Sequence, residues 1–259
     1  MTIPLLPAVL LAADPDVLFA TGFEAADWPA EWSHVAPKKS VEVVADDPAR
    51  KFAPHRGKAL RARLPEGELT ALGVRFDFRK KLGAEPEEAF FRYYLRLGDD
   101  WDQTVDGGKL PGLSGTYNVA GWGGRKADGK NGRSARGAFA KTVGGRTPVG
   151  NDFYHADMKG KFGEVALWDG GRLERNRWYC LEQQVKLNAP DGRDGVRRAW
   201  ADGQLALDRT GLRFRTVPTL KIERLWLNVY HGGTRPSPRD QHLYFDDVVA
   251  SRRYIGPAR

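Results

Sequence analysis

Lys109 sits in the run Gly107-Gly108-Lys109-Leu110-Pro111-Gly112-Leu113, near the middle of the chain. Glycines let the backbone approach a neighbour closely, and a proline fixes the exit of the turn. The ammonium is therefore expected on a stiff, partly dry segment. Downstream come Ser134-Ala135-Arg136 and Phe153-Tyr154-His155. An ammonium and a guanidinium both grip carboxylates, the first as a point charge and the second as a two-pronged fork. A phenol or an imidazole supplies the proton transfer that such a grip makes useful. Upstream, Phe90, Arg92, Tyr94 and Arg96 alternate along one face of a strand-like run. Rings stack on sugars and forks pair with carboxylates, so this face suits an acidic sugar. A solvated sheet face with incidental aromatics is the competing explanation.

Other chemistries lack their parts. There is no Gly-x-Ser-x-Gly elbow, no Gly-x-x-x-x-Gly-Lys-Ser/Thr phosphate loop and no His-Glu-x-x-His helix. The five histidines are scattered, and only His155 with Asp157 forms a local pair. Two ligands from one stretch make a weak metal signal, so no metal site is expected there. Asp246-Asp247 reads as a structural calcium pair or, equally, as turn residues of a closing strand. No paired-carboxylate motif of a glycosidase is visible on one strand face. No recognition helix, zinc finger or RNA-binding strand signature points to nucleic acid.

These groups need elements to position them. The 259 residues carry 41% hydrophobic and 29% charged residues, enough for a sizeable core. A net charge of +8 suits a polyanionic partner, and it suits solubility equally well. The single cysteine, Cys180, excludes an internal disulfide and is expected as a buried, inert thiol. Residues 1–14 form an apolar run ending in small residues, read as a leader or trimmed signal remnant despite two prolines and no basic front. A secreted or periplasmic protein is the matching expectation. No other segment approaches membrane-spanning length, so no membrane insertion is expected.

Residues 15–259 alternate with a period of two and show almost no helical period, which predicts one all-β domain, a sandwich or a barrel. Leu72, Val74, Phe76 and Phe78 form one face of a strand; Ala89, Phe91, Tyr93, Leu95 and Leu97 form another. Residues 110–151 break this pattern and are expected as one long glycine-rich, basic loop. Alternation resumes at 163–168, 178–188 and 196–209, the last turning at Asp202-Gly203. Leu225, Leu227 and Val229 point one way, with Trp226, Asn228 and Tyr230 opposite.

The Gly107–Leu113 run resembles the hallmark of polysaccharide lyase family 14, the alginate and glucuronan lyases. Ser134-Ala135-Arg136, Tyr154, the run Glu182–Asn188, Trp200-Ala201-Asp202-Gly203, His231-Gly232-Gly233 and Tyr244-Phe245-Asp246-Asp247 match in order. The resemblance covers about the C-terminal two-thirds of the chain. It implies a concanavalin-like β-jelly roll of two antiparallel sheets with a concave substrate cleft, and no organic cofactor. It also implies an acidic, uronate-containing polysaccharide as partner of a monomer, cleaved by β-elimination. Lys109, Arg136 and Tyr154 take the catalytic positions, with Ser134 and His155 beside them. Substrate binding is expected at Arg92, Tyr94, Arg96, Glu182, Gln184, Lys186, Asn228 and Tyr230. Where the family carries Tyr-x-Tyr, this chain reads Asp152-Phe153-Tyr154 and keeps only the second tyrosine.

The chemistry fits that resemblance. A proton beside a free carboxylate is hardly acidic, and fixed cations stabilise the enolate-like state that its removal creates. A phenol, with a free pKa of about 10, becomes a better base beside two cations. Two rival readings remain: a non-catalytic carbohydrate-binding module, and a glycoside hydrolase on a similar sandwich.

Overall fold

The computed structural model describes residues 14–104 and 107–258. The expected leader, except for Asp14, lies outside them. The strands in chain order are β1 (Val17–Thr21), β2 (Val41–Val44), β3 (Ala59–Leu64), β4 (Thr70–Asp77), β5 (Glu88–Leu97), β6 (Gly108–Gly115) and β7 (Arg133–Phe139). They continue with β8 (Arg146–Tyr154), β9 (Glu164–Glu174), β10 (Trp178–Lys186), β11 (Gly195–Ala201), β12 (Gln204–Leu212), β13 (Arg224–His231) and β14 (Gln241–Ser251). One helical turn, α1 (Phe78–Leu82), follows β4. An eight-stranded sheet runs β12-β11-β10-β5-β14-β3-β2, with β1 also on β14; a six-stranded sheet runs β4-β13-β6-β7-β8-β9. Pairing is antiparallel throughout both sheets, giving a jelly-roll sandwich.

Alternation decides what goes between the sheets. From the larger sheet, Phe91, Tyr93 and Leu95 of β5 and Leu181 and Val185 of β10 point inward. From the smaller sheet, Leu72 and Val74 of β4 and Leu225, Leu227 and Val229 of β13 meet them. Each such side chain contributes about 1.5–3 kcal/mol on full burial. At Asp202 and Gly203, φ values of 49° and 79° make the tight β11–β12 turn. Cys180 is buried, and burial pushes its thiol up to about 12, so it is inert as expected.

The stretch 110–151 is not one loop. It carries most of β6, all of β7 and the start of β8, the middle of the six-stranded sheet. Two features hid these strands from a search for alternation. Register shifts at Leu110/Gly112 and Pro148/Gly150 break the period. Glycine also stands where the strands crowd: a Cβ on Gly112 would meet the Ala135 carbonyl at 2.3 Å and the Arg136 Cα at 2.4 Å.

Behind the β6 irregularity lies a buried polar bridge. Gln183 Nε2 donates to the Pro111 carbonyl at 2.9 Å, and its Oε1 accepts from the fully buried Arg197. Arg197 also donates to the Gln184 carbonyl at 3.1 Å, and burial pushes its guanidinium down to about 9. The bridge ties the larger sheet to the backbone beside Lys109.

Asp246 and Asp247, read as a calcium pair or as turn residues, are engaged by protein donors. Asp246 accepts from the Arg56 and Asp247 backbone amides at 2.9 and 2.6 Å, and Asp247 pairs with Arg92 at 2.6 Å. Burial pushes the Asp246 carboxyl from an ordinary 3.8 up to about 6. Its contribution to stability is full below the unfolded value and is lost as pH rises through about 6. Asp246→Asn should therefore flatten the fall in urea midpoint between about pH 4 and 6; parallel slopes in the two proteins would remove Asp246 as its source.

Candidate active site

Strand register places the candidate residues in rows across the outer face of the six-stranded sheet. Arg75, Trp226, Gly112, Arg136 and Asp152 lie opposite one another on β4, β13, β6, β7 and β8. A second row holds Thr70, Tyr230, Lys109, Ala138 and Gly150; a third holds Asp77, Arg224, Ser114, Ser134 and Tyr154. Direct cross-strand neighbours share a face. Phe153 and Ala135, one residue out of phase, face the core.

Arg136 is the centre of this face. Its Nη1 donates to Asn228 Oδ1 at 2.7 Å, its guanidinium lies 4.6 Å from the Trp226 ring centroid, and its Nε has no protein partner. Asn228 is fixed in turn by donating to the Leu72 carbonyl at 2.8 Å. Burial lowers the Arg136 pKa, and Asp152 opposes that shift.

Lys109 reaches across β7, over the small Ala138, and its Nζ meets Asp152 Oδ2 at 2.5 Å. Burial lowers the lysine pKa, and the Asp152 charge and hydrogen bond hold it up. The other carboxylate oxygen, Asp152 Oδ1, is buried without a partner. A Cβ on Gly163 would come within 2.7 Å of both Asp152 oxygens and of the Tyr154 ring. Only glycine allows the backbone there to close over them.

Tyr154 shares the face with Asp152 and is 3% exposed; its hydroxyl accepts the Gly124 amide at 3.3 Å. Ser134 donates to the Gly121 carbonyl at 2.6 Å, which pins the 116–132 segment rather than Arg136. His155 points to the opposite face, 3.1 Å from Glu164 Oε2 and beside Phe153, so it does not join the cluster.

A cleft of about 380 Å³ opens beside Arg136, with Trp226, Asn228, Tyr230, Arg75, His34 and Trp122 prominent in its walls. Partial desolvation and the Arg75 charge hold the His34 ring below the usual histidine range. Among the described residues, no carboxylate lines this cleft. Among the described residues, no three His, Cys, Asp or Glu side chains gather as metal ligands.

The structure brings Asn228 and Tyr230 to Arg136, and it leaves the other expected substrate-binding residues on the far side of the molecule. Arg92, Tyr94 and Arg96 project from β5 away from the core, beside Glu182, Gln184 and Lys186 of β10. The C-terminal segment covers much of that face. Glu182 accepts the Ile255 and Gly256 amides, both at 2.8 Å; Arg92 donates to the Gly256 carbonyl at 3.1 Å; Tyr94 accepts the Ala258 amide at 2.8 Å. Arg96 donates to the Asn176 carbonyl, Gln184 to Glu88, and Lys186 stands opposite Glu88, exposed. An alternating aromatic and arginine face here anchors chain rather than sugar. Asp152, Arg75, His34 and Trp122 went unforeseen as site residues. For Asp152 the only signal was its position two residues before Tyr154, hence on the same face.

A profile of polysaccharide lyase 14 matches residues 53–248, which include all of these strands from β3 to β13. The chain belongs to polysaccharide lyase family 14. Similar solved structures include a mutant of the alginate lyase Aly36B in complex with alginate trisaccharide, at 25% identity over 76% of this chain and 82% of that one, TM-score 0.62. The marine alginate lyase from Aplysia kurodai shares 18% identity over 86% and 90%, TM-score 0.63. The endo-β-1,4-glucuronan lyase from the fungus Trichoderma reesei shares 13% over 92% and 96%, TM-score 0.61. The last two speak to the fold alone. No individually curated protein matches the sequence.

The placement of Glu182 is testable. Glu182→Ala leaves two backbone amides without their acceptor, each costing about 1–3 kcal/mol. A lowered Tm with unaltered polysaccharide cleavage is expected; a raised KM at unchanged Tm would return this residue to substrate binding.

Proposed function

We propose that this lyase cleaves a polyuronate such as alginate or glucuronan by β-elimination. The observation that carries the reading is Arg136, a buried guanidinium with a free Nε, facing an aromatic-walled cleft with Lys109 on the adjacent strand. Arg136 and Lys109 neutralise the carboxylate of one uronate. The C5 proton leaves, the electrons pass into a C4–C5 double bond, and the C4–O bond breaks. The departing oxygen takes a proton. Fixed cations at the developing enolate are often the largest part of such catalysis. Site of action is secreted or periplasmic, where a polymer is met, and one protomer carries the whole site.

Tyr154 is the proton carrier in this reading, once the 122–124 segment releases its hydroxyl. A second reading gives the proton to Asp152, favoured by its unpartnered Oδ1, since only Oδ2 holds Lys109, and by its place opposite Arg136. Carboxylates do abstract protons beside carbonyl groups in other enzymes. A hydrolase would need two carboxylates across the cleft, and among the described residues the walls carry none.

Incubation with alginate, its two homopolymer blocks and glucuronan should raise ultraviolet absorbance from conjugated unsaturated ends. Silence on all four with a folded protein would end the elimination reading. Lys109→Ala and Arg136→Ala should each lower turnover by ~10²–10³, with circular dichroism unchanged. Tyr154→Phe should cost ~10²–10⁴ and Asp152→Asn less; the reverse ranking transfers the proton to Asp152.

A further inference from the structure

Arg75 plays no part in the chemistry above, yet it lines the cleft. Other arginines on this face are engaged: Arg136 with Asn228, and Arg224 with Asp77 and Glu223. Among the described residues, the Arg75 guanidinium makes no ion pair or hydrogen bond; its backbone alone is engaged, with Ser33, His34 and Trp226. A free fork in a cleft is a vacant carboxylate receptor.

Its position is specific. Arg75 and Arg136 occupy the same cross-strand row, separated by β13 and β6. Three strand steps of about 4.8 Å put their backbones roughly 14 Å apart. Between them stands Trp226, directly opposite Arg75 and in cation–π contact with Arg136 at 4.6 Å. The next position in the row is Gly112, which raises no side chain into the path. An indole platform with a guanidinium at each end fits a polymer that carries one carboxylate per sugar.

We propose that Arg75, with Trp226 and His34, forms a second carboxylate subsite that grips a uronate residue distant from the bond being broken. The substrate then runs across the strands from β7 towards β4. This rests on the polyuronate reading above. A grip that is equally strong before and during the reaction lowers KM and leaves kcat alone. Charge-assisted contact to carboxylate also predicts that neutral sugars ignore Arg75.

The test is Arg75→Gln, with Arg75→Lys as the charge-retaining comparison. Loss of one charge-assisted contact should raise KM for polymer by about 10- to 100-fold. The kcat should stay within about threefold, and Arg75→Lys should recover part of the loss. Calorimetry with an oligomannuronate or oligoglucuronate hexasaccharide, in the Lys109→Ala background, should show the same ratio in Kd. Cellohexaose should bind both proteins equally. An unchanged KM and Kd, or a loss confined to kcat, overturns the subsite, as does a hexasaccharide that fails to bind at all. Binding of a hexasaccharide by the unmutated protein without release of unsaturated product would end the elimination reading alone, and the Kd ratio would still decide Arg75.

Discussion

A guanidinium buried in the face of a sheet is unstable unless every neighbour is arranged around it, and Arg136 sets that demand here. Its partners come from separate strands: Asn228 and Trp226 from β13, Asp152 from β8, with Leu72 of β4 anchoring Asn228. Meeting the demand fixes the register of the strands that build the cleft wall. Its buried Nε remains unmatched inside the protein. A carboxylate entering the cleft completes the set, so much of the desolvation cost is met in folding rather than in binding.

Asp152 adjusts the strength of this field. Lys109 is partly dry, which disfavours its charge, and the ion pair at 2.5 Å restores it. The same carboxylate repels an incoming anion. Lys109, Arg136 and Asp152 together carry one net positive charge, which a single uronate neutralises. The departure from the family's Tyr-x-Tyr pattern is thus electrostatic as well as steric.

Two-residue alternation made β4, β5, β10 and β13 legible, because a half-buried strand must separate apolar from polar side chains. It failed from β6 to β8, where glycines and register shifts remove the period, and those strands bear Lys109, Arg136 and Tyr154. Alternation also separates inside from outside without saying which sheet a strand joins. Arg92, Tyr94 and Arg96 therefore looked like partners of Lys109, although β5 lies in the opposite sheet. The motif residues were legible through the resemblance to a lyase family, with which the chemistry of Lys, Arg and Tyr agrees. Arg75 and Asp152 required register: each lies far from Arg136 in sequence and in one row with it in space.

Placing charge on strands and cover on loops divides precision from access. The β6–β7–β8 backbone is held by ladders on both sides, and the Arg197–Gln183–Pro111 bridge props it from within. Lys109 and Arg136 are accordingly set before substrate arrives, which is what electrostatic stabilisation requires. Tyr154 and Asp152 lie on the same rigid strand but beneath the 121–124 segment and Gly163, whose backbones close directly on them. A segment held by a few hydrogen bonds opens at lower cost than a sheet laddered on both sides. The barrier to reaching Tyr154 or Asp152 therefore resides in the cover, while Lys109 and Arg136 stay fixed on their strands.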